Sequence, residues 1–278
     1  MKFLELNCEI GSVSVYNEIV IAYLSTVGFS MFQENKSGLK AYILKEDFDE
    51  SSFLELPIHK STFETQFKWS IADADDQNWN AKWESSFEPV IIRDKVAIRA
   101  QHHQPVDGVD HELIITPRMS FGTGHHATTS LMVEAILDYS FADKNVLDMG
   151  SGTGILGMVA SRLGAKSVDG VDIDENATEN AIENLRVNGI TNMNVVTGNA
   201  HTNVGNIYDF VLANINRNII LEDLSLYAEY LTVDGVLLLS GFYHSDLDKI
   251  KHEAHQQGFK YLKHSIQNDW CCARFQKI

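Results

Sequence analysis

A glycine-rich turn between a predicted strand and a predicted helix constrains the fold of this chain more than any other feature. An apolar run over 145–149 leads into Gly150-Ser151-Gly152-Thr153-Gly154, and a helical pattern over 154–163 follows. Glycines at alternate positions permit left-handed backbone and let a ligand approach the main chain closely. In open parallel sheets, ligands bind at the carboxyl ends of the strands, where such turns lie. The turn therefore predicts a ligand site on a parallel α/β sheet.

The rest of the C-terminal part supports that fold because helical and strand patterns alternate along it. Helices are predicted over 127–138, 154–163, 175–188, 217–230 and 245–257, and strands over 89–99, 112–115, 145–149, 167–171, 193–197, 208–213, 235–240, 259–266 and 270–276. Alternation of this kind predicts a mostly parallel sheet covered by helices on both faces.

The N-terminal part predicts a separate, smaller domain. Its pattern reads strand 2–10, helix 13–27, strands 29–33 and 39–44, helix 49–56 and strand 63–71. This β-α-β-β-α-β order is that of a ferredoxin-like α+β domain. We assign 1–70 to this domain, 71–86 to a polar, acidic linker and 87–278 to the larger domain.

One aromatic pattern falls in and just after the linker. Trp79, Trp83 and Phe87 follow one another at helical spacing, so they share one face of a short helix. Such a face usually packs into a core. The alternative is a hinge that docks the first domain on the second.

Charge and cysteine content narrow the partners and the compartment. Lys and Arg number 22 against 38 Asp and Glu, a net charge of −16. Nucleic-acid binders carry a basic face, so we expect no direct nucleic-acid binding and favour a basic partner. Cys8, Cys271 and Cys272 form neither a disulfide framework nor a zinc motif. Free thiols, and the lack of an apolar run of about 20 residues, predict a cytoplasmic protein with no membrane contact.

Two classes of cofactor compete for the glycine turn. Gly152, Gly154 and Gly157 satisfy the G-x-G-x-x-G dinucleotide fingerprint, which keeps an NAD-dependent oxidoreductase open. Gly150 and Asp148 extend the motif on its N-terminal side. A carboxylate there would oppose a pyrophosphate but suit S-adenosylmethionine, which carries an ammonium and a sulfonium. Asp148 therefore favours the methyl donor, unless it merely caps local backbone donors.

Two further polar residues end the neighbouring strands. Asp172 follows the glycine turn at the separation from which a carboxylate reaches ribose hydroxyls, a group both cofactors share. Asp174 is expected to cap the next helix. Asn214 ends the strand over 208–213, and its amide can accept from an amine N–H and donate elsewhere. A loop cap is the competing interpretation of Asn214.

Together, Asp148-x-Gly150-x-Gly152-x-Gly154, Asp172 and Asn214 resemble the class I methyltransferases that use S-adenosylmethionine. The segment Phe121-Gly122-Thr123-Gly124-His125-His126-Ala127-Thr128-Thr129 and the N-terminal module narrow the resemblance to the PrmA family, which methylates bacterial large-subunit ribosomal protein eleven. This resemblance implies a Rossmann-like, seven-stranded, mostly parallel sheet. It also implies transfer of methyl groups to lysine and N-terminal amines of a basic protein at the base of the large-subunit stalk.

The resemblance also assigns roles to residues. It implies cofactor contacts at Thr129, Gly150, Gly152, Asp172 and Asn214, and it makes Asn214 the candidate catalytic residue. The segment 123–129 would cover the cofactor, and the N-terminal domain would recognise the ribosomal protein. Arg118, Ser120 and Asn216 depart from the family pattern near the entrance for the substrate amine.

For such a reaction the chain must orient a neutral amine and exclude water. His125 and His126 are candidates for a general base, although one of them is better explained as a residue that shapes the loop. Adjacent histidines alone make no zinc set, so no metal is expected. The alternatives are a methyltransferase of the same fold acting on another protein or a small molecule and, less favoured, the NAD-dependent oxidoreductase.

Overall fold

The computed structural model describes residues 3–10, 20–21, 23–29, 31–35, 38–59, 67–74, 88–116, 122, 124–202 and 207–278. The chain divides into two compact units, Met1–Lys82 and Trp83–Ile278. This division falls within the predicted linker 71–86. Trp79, Trp83 and Phe87 lie outside the described residues, so the aromatic helix remains a prediction.

The first unit is an antiparallel sheet with the predicted ferredoxin-like order. Its elements are β1 (Phe3–Ile10), β2 (Met31–Asn35), β3 (Gly38–Leu44), α1 (Glu50–Leu54), a 3₁₀ turn (Pro57–His59) and β4 (Phe67–Asp73). The strands lie in the order β2-β3-β1-β4, and every neighbouring pair is antiparallel. Of the predicted helix 13–27, residues 20–21 and 23–25 are described and are helical. Strand β4 continues to Asp73, three residues into the segment that the sequence assigns to the linker.

The sheet and α1 of this unit enclose a small core. Alternate residues of β1 and β3, including Leu6, Cys8 and Ile43, are fully buried and pack with Phe53 of α1. Asp49 caps α1 by accepting from the amides of Ser51 and Ser52. The cap sets where the helix begins, and its one buried residue, Phe53, anchors it.

The second unit is built on a seven-stranded sheet, as the resemblance implied. Its elements are α2 (Ala127–Ile136), β8 (Asn145–Met149), α3 (Ile155–Arg162), β9 (Ser167–Asp172), α4 (Glu175–Val187), β10 (Met193–Thr197), β11 (Tyr208–Asn214), α5 (Arg217–Tyr230), β12 (Leu231–Tyr243), a 3₁₀ turn (His244–Asp246), α6 (Leu247–Gln256), β13 (Phe259–Gln267) and β14 (Trp270–Lys277). The strand order is β10-β9-β8-β11-β12-β14-β13. The first five strands pair in parallel and β14 is antiparallel to both neighbours, so the sheet is mostly parallel.

A three-stranded sheet precedes this large sheet in the chain. It contains β5 (Val90–Ile92), β6 (Val96–Ala100) and β7 (His111–Ile115) in that order. The prediction of a single strand over 89–99 is wrong, because the chain turns back at Arg93 and Asp94. Both residues have positive φ, 52° and 53°, which is the geometry of a tight hairpin turn.

Backbone N–H and C=O groups along the open edge of β7 form hydrogen bonds with asparagine side chains of α4 and of its C-terminal cap. The amide of Asn188 accepts from Ile114 N–H (2.8 Å) and donates to Ile114 C=O (2.6 Å), as a neighbouring strand would. One turn earlier in the helix, Asn184 accepts from Thr116 N–H (2.8 Å). A further turn back, Asn180 donates to Thr116 C=O (3.2 Å). We call these three residues the asparagine ladder. It joins β7 to α4, the helix that follows β9 of the large sheet.

Within the described ranges, no helix is long and apolar enough to cross a bilayer.

Candidate active site

A cavity of about 420 Å³ lies at the carboxyl ends of the central parallel strands. Its lining includes Gly150 and Gly152 after β8, Asp172 at the end of β9, Gly198 after β10 and Asn214 at the end of β11. A cavity of this volume at this edge of a parallel sheet is a typical small-molecule site. The glycine turn, Asp172 and Asn214 are thus brought together as the sequence predicted.

The glycine turn has backbone geometry that only glycine adopts easily. Gly150, Gly152 and Gly154 have φ values of 70°, 52° and 79°. The amide of Gly150 donates to Val171 C=O at 2.8 Å, which fixes the turn against β9. A Cβ atom at Gly150 would lie 2.2 Å from Ile215 Cγ2. A side chain at Gly150 would therefore clash with Ile215, and Gly150 and Gly152 form part of the cavity lining.

Asp172 joins the glycine turn to the start of α4. Its Oδ2 accepts from Gly152 N–H at 2.8 Å and its Oδ1 accepts from Asp174 N–H at 3.0 Å. Asp174 in turn caps α4, as predicted, by accepting from Asn176 N–H. A carboxylate held in this way keeps lone pairs for hydroxyl donors in the cavity. This geometry suits a ribose diol.

Asp148 does not have the role of complementing the positive charge of the methyl donor, which the sequence analysis favoured. Its side chain is fully buried, and Oδ2 accepts from Gly157 N–H in α3 at 2.8 Å. Burial raises the pKa of this carboxyl to about 7; the bond from Gly157 opposes the shift and the charge of Asp172 adds to it. Asp148 does not line the cavity. The structure thus favours the second interpretation, in which Asp148 caps a local backbone donor.

Asn214 presents an unsatisfied acceptor at the cavity. Its side chain is 8% exposed, and its Oδ1 is buried without a hydrogen-bond partner in the described part of the chain. Its Nδ2 lies 3.5 Å from Thr129 Oγ1. A buried acceptor without a donor costs about 1–3 kcal/mol, so the arrangement suits a ligand that brings an N–H group. The loop cap in this region is Asn216, whose Oδ1 accepts from Ile219 N–H at 3.2 Å.

Thr129 is the one predicted cofactor residue that does not line the cavity. It is fully buried in the first turn of α2, behind the amide of Asn214. The neighbouring Thr128 lines the cavity instead. Thr129 therefore supports Asn214 in this structure, and direct contact of Thr129 with a cofactor stays a prediction.

His126 shapes the start of α2 at the mouth of the cavity. Its Nδ1 accepts from Thr128 N–H at 3.3 Å and lies 2.7 Å from Thr128 Oγ1, so this residue is the helix cap. Burial lowers the pKa of the imidazole. The ring packs edge-to-face on Trp270, with centroids 4.8 Å apart. His126 thus fits the loop-shaping role. Arg118, Ser120 and Thr123 lie outside the described residues.

The sequence analysis missed several lining residues, among them Trp270, Gly241 and Asp223. Trp270, at the start of β14, stacks on Tyr243 with centroids 4.2 Å apart. Gly241 has φ +93°, and a Cβ atom there would lie 2.1 Å from the carbonyl oxygen of Ile215. Asp223 lies on α5, one turn after Ile219. Of these three, only Gly241 could have been predicted from the sequence, because it is a glycine directly after the strand pattern over 235–240. Trp270 and Asp223 reach the cavity only through the tertiary fold.

The electrostatics of the cavity favour a cationic ligand over an anionic one. Asp172 and Asp223 both place carboxylates on its surface. The Gly152 amide, which would otherwise donate to a phosphate, is taken by Asp172. A pyrophosphate would meet two like charges and a committed donor, whereas a sulfonium and an ammonium would be attracted.

Comparison with known proteins agrees with this chemistry. The family model described as ribosomal protein L11 methyltransferase (PrmA) matches residues 12–278. A protein of that name from Bacteroides fragilis is 38% identical over 261 residues, 93% of either chain. One from Phocaeicola vulgatus is 36% identical over 278 residues, 99% of either chain.

Solved structures give the same result at the level of the fold. A ribosomal protein L11 methylase from Lactobacillus delbrueckii subsp. bulgaricus superposes with a TM-score of 0.64 at 27% identity, covering 69% of this chain and 100% of that chain. A methyltransferase from Pyrococcus furiosus superposes with a TM-score of 0.51 at 17% identity, covering 60% of this chain and 90% of that one. The second likeness shows the fold alone.

Proposed function

The chain belongs to the ribosomal protein L11 methyltransferase family, and we propose that its cavity binds the methyl donor and presents it to lysine and N-terminal amines of that protein. It is a class I enzyme that uses S-adenosylmethionine to methylate ribosomal protein L11. The observation that carries the site assignment is the buried, unpaired Oδ1 of Asn214 beside the glycine turn.

In the proposed binding mode the donor would lie across the strand ends. Its ribose hydroxyls would donate to Asp172, and its methionine part would lie on the backbone of Gly150 and Gly152 near Asn214. The sulfonium supplies a methyl group that is already activated for transfer to an amine. Two features support this binding mode: the glycine turn, where a Cβ atom at Gly150 would lie 2.2 Å from Ile215 Cγ2, and the carboxylates of Asp172 and Asp223 on the lining.

Asn214 is the proposed catalytic residue. A lysine amine has an ordinary pKa near 10.4, so it must lose a proton before it can attack. Removal of the ammonium from water beside the buried Asn214 would favour loss of its proton to solvent. The Oδ1 of Asn214 would accept one N–H of the neutral amine and aim its lone pair at the methyl group. His126 is already committed to Thr128 at Nδ1, so we assign it no proton transfer.

The partner and the compartment follow from the same assignment. We propose that the substrate is engaged as a basic protein of the large-subunit stalk base, with recognition by the first unit, Met1–Lys82. The net charge of −16 supports a basic protein partner over direct contact with nucleic acid. Buried, free cysteines at positions 8, 271 and 272 fit a cytoplasmic location.

Calorimetric titration tests the cofactor assignment and its main alternative. The wild-type protein should bind S-adenosylhomocysteine and should not bind NAD. The substitution Asp172→Ala should weaken binding of S-adenosylhomocysteine about tenfold or more, because two ribose hydrogen bonds to a charged acceptor are lost. Unchanged affinity in Asp172→Ala would reject the ribose role, and saturable NAD binding would favour the oxidoreductase.

A further inference from the structure

One end of the cavity lies beyond the residues that the family resemblance assigns. Strands β11, β8, β9 and β10 lie side by side in that order. Asn214 and Gly150 mark the methionine end of the proposed donor, Asp172 marks the ribose, and Gly198, after β10, marks the far end. The purine base, attached to the ribose, would therefore lie at the β10 end.

Asp223 is the carboxylate at this end. It lies on α5, one turn after Ile219, and both side chains line the cavity. The fully buried Tyr227 donates from its hydroxyl to Asp223 Oδ2 at 3.3 Å, which holds the carboxylate in place. Within the described part of the chain, Oδ1 of Asp223 accepts no hydrogen bond. The site therefore has a half-buried, oriented acceptor with unused capacity.

The loop after β10 also lines this end of the cavity, and bonds within the loop hold its shape. Asn199 Oδ1 accepts from His201 N–H at 3.0 Å, and Thr202 Oγ1 accepts from Asn199 N–H at 2.9 Å. Tyr230 of α5 donates to Ala200 C=O at 2.6 Å, which ties the loop to the helix that carries Asp223. The positions of loop and carboxylate are thus fixed relative to each other.

We infer that Asp223 is a specificity-determining residue that accepts a hydrogen bond from the exocyclic 6-amino group of the adenine base. The inference rests on the proposed function, since it takes the donor to lie across the strand ends as described. An amino group at this position is a donor, whereas the 6-oxo group of hypoxanthine is an acceptor. A carboxylate therefore attracts the first and repels the second.

A pair of ligands that differ only at position 6 tests this inference. Wild-type protein should bind S-adenosylhomocysteine about tenfold or more tighter than S-inosylhomocysteine, because the second leaves Asp223 facing another acceptor. In Asp223→Asn the amide can turn its NH₂ toward a 6-oxo group. The preference in that variant should fall to within about threefold, with the inosyl ligand binding more tightly than it does to wild type.

The adjacent exposed residue gives a matched control. Glu222→Gln removes one charge from the same helix outside the cavity lining, and it should keep the wild-type preference. A full wild-type preference in Asp223→Asn, or no preference in the wild type, would overturn the role of Asp223 and leave the proposed function intact. Wild-type protein that binds neither ligand would overturn the proposed function itself, and the inference with it.

Discussion

At the scale of single residues, Asn214 carries the most specific claim. The substitution Asn214→Ala removes the acceptor that would orient the substrate amine, but it leaves β11 and its backbone hydrogen bonds in place. We expect kcat for methyl transfer to fall about 100-fold or more, with the thermal midpoint little changed. Steady-state kinetics beside a melting curve checks both parts.

The control for Asn214 lies four residues further along the chain. Asn218 is exposed, and among the described residues its side chain accepts hydrogen bonds only from Arg217. Asn218→Ala should therefore retain wild-type turnover. Near-normal turnover in Asn214→Ala would remove Asn214 from the mechanism.

Gly241 makes a second residue-scale prediction, about stability. Gly241→Ala places a Cβ atom 2.1 Å from the Ile215 carbonyl oxygen at a φ of +93°, so the turn that carries Asn214 must shift. We expect the free energy of unfolding to fall by about 2–4 kcal/mol, measured by urea denaturation, together with weaker binding of S-adenosylhomocysteine.

Gly258 separates steric conflict from backbone strain. It has a similar φ of +81°, but a Cβ atom there meets nothing within 4 Å. Gly258→Ala should therefore lower the free energy of unfolding only by the strain of a left-handed alanine, about 1–2 kcal/mol. It should leave ligand binding unchanged. Equal losses of stability in the two variants would show that the contact with Ile215 does not matter.

What could be predicted for the site differs from residue to residue. Gly150, Gly152, Asp172 and Asn214 were found because each follows a strand pattern directly, and the ends of parallel strands share one edge. Asp148 lies inside the strand pattern over 145–149 and faces inward to Gly157, since strand position alone does not decide which face a side chain takes. Asp223 and Trp270 enter the cavity from a helix interior and from the antiparallel β14, where no local pattern marks a site.

At the scale of elements, the asparagine ladder is the feature that local patterns conceal. Asparagines at 180, 184 and 188 fall on one face of a helix, and a polar face usually indicates exposure to solvent. Here Asn180 and Asn184 are fully buried because their side chains bond to the backbone of Thr116, directly after β7. The same Asn184 donates to Thr153 C=O at 2.9 Å, so the ladder also supports the glycine turn.

The ladder predicts a graded loss of stability. Asn188→Leu leaves the N–H and C=O of Ile114 without their side-chain partner, and we expect a cost of about 2–4 kcal/mol in urea denaturation. Asn188→Asp keeps the acceptor for the N–H but loses the donor, so its cost should be intermediate. A Leu variant as stable as the wild type would show that water replaces these bonds.

The β5–β6 hairpin shows why strand boundaries were harder to predict than strand existence. The run from 89 to 99 is rich in apolar β-branched residues and reads as one strand. Arg93 and Asp94 reverse the chain without a glycine, so the usual turn signal is missing.

At the scale of the whole molecule, the proposed function assigns cofactor binding to the second unit and substrate recognition to the first. Deleting residues 1–82 removes the first unit at the observed division, whereas a deletion at residue 70 would cut β4. All described lining residues of the cavity belong to the second unit. We therefore expect unchanged affinity for S-adenosylhomocysteine by calorimetry but loss of methyl transfer to the intact ribosomal protein. Full activity of the truncated enzyme would reject a recognition role for the first unit.

The central claim is that this cavity transfers methyl groups to ribosomal protein L11. It is tested most directly by incubating the full-length enzyme with labelled S-adenosylmethionine and purified L11, followed by mass mapping of the product. We predict added methyl mass on lysine or N-terminal amines with the wild-type enzyme, and almost none with Asn214→Ala. Donor binding without any transfer to L11 would contradict the claim.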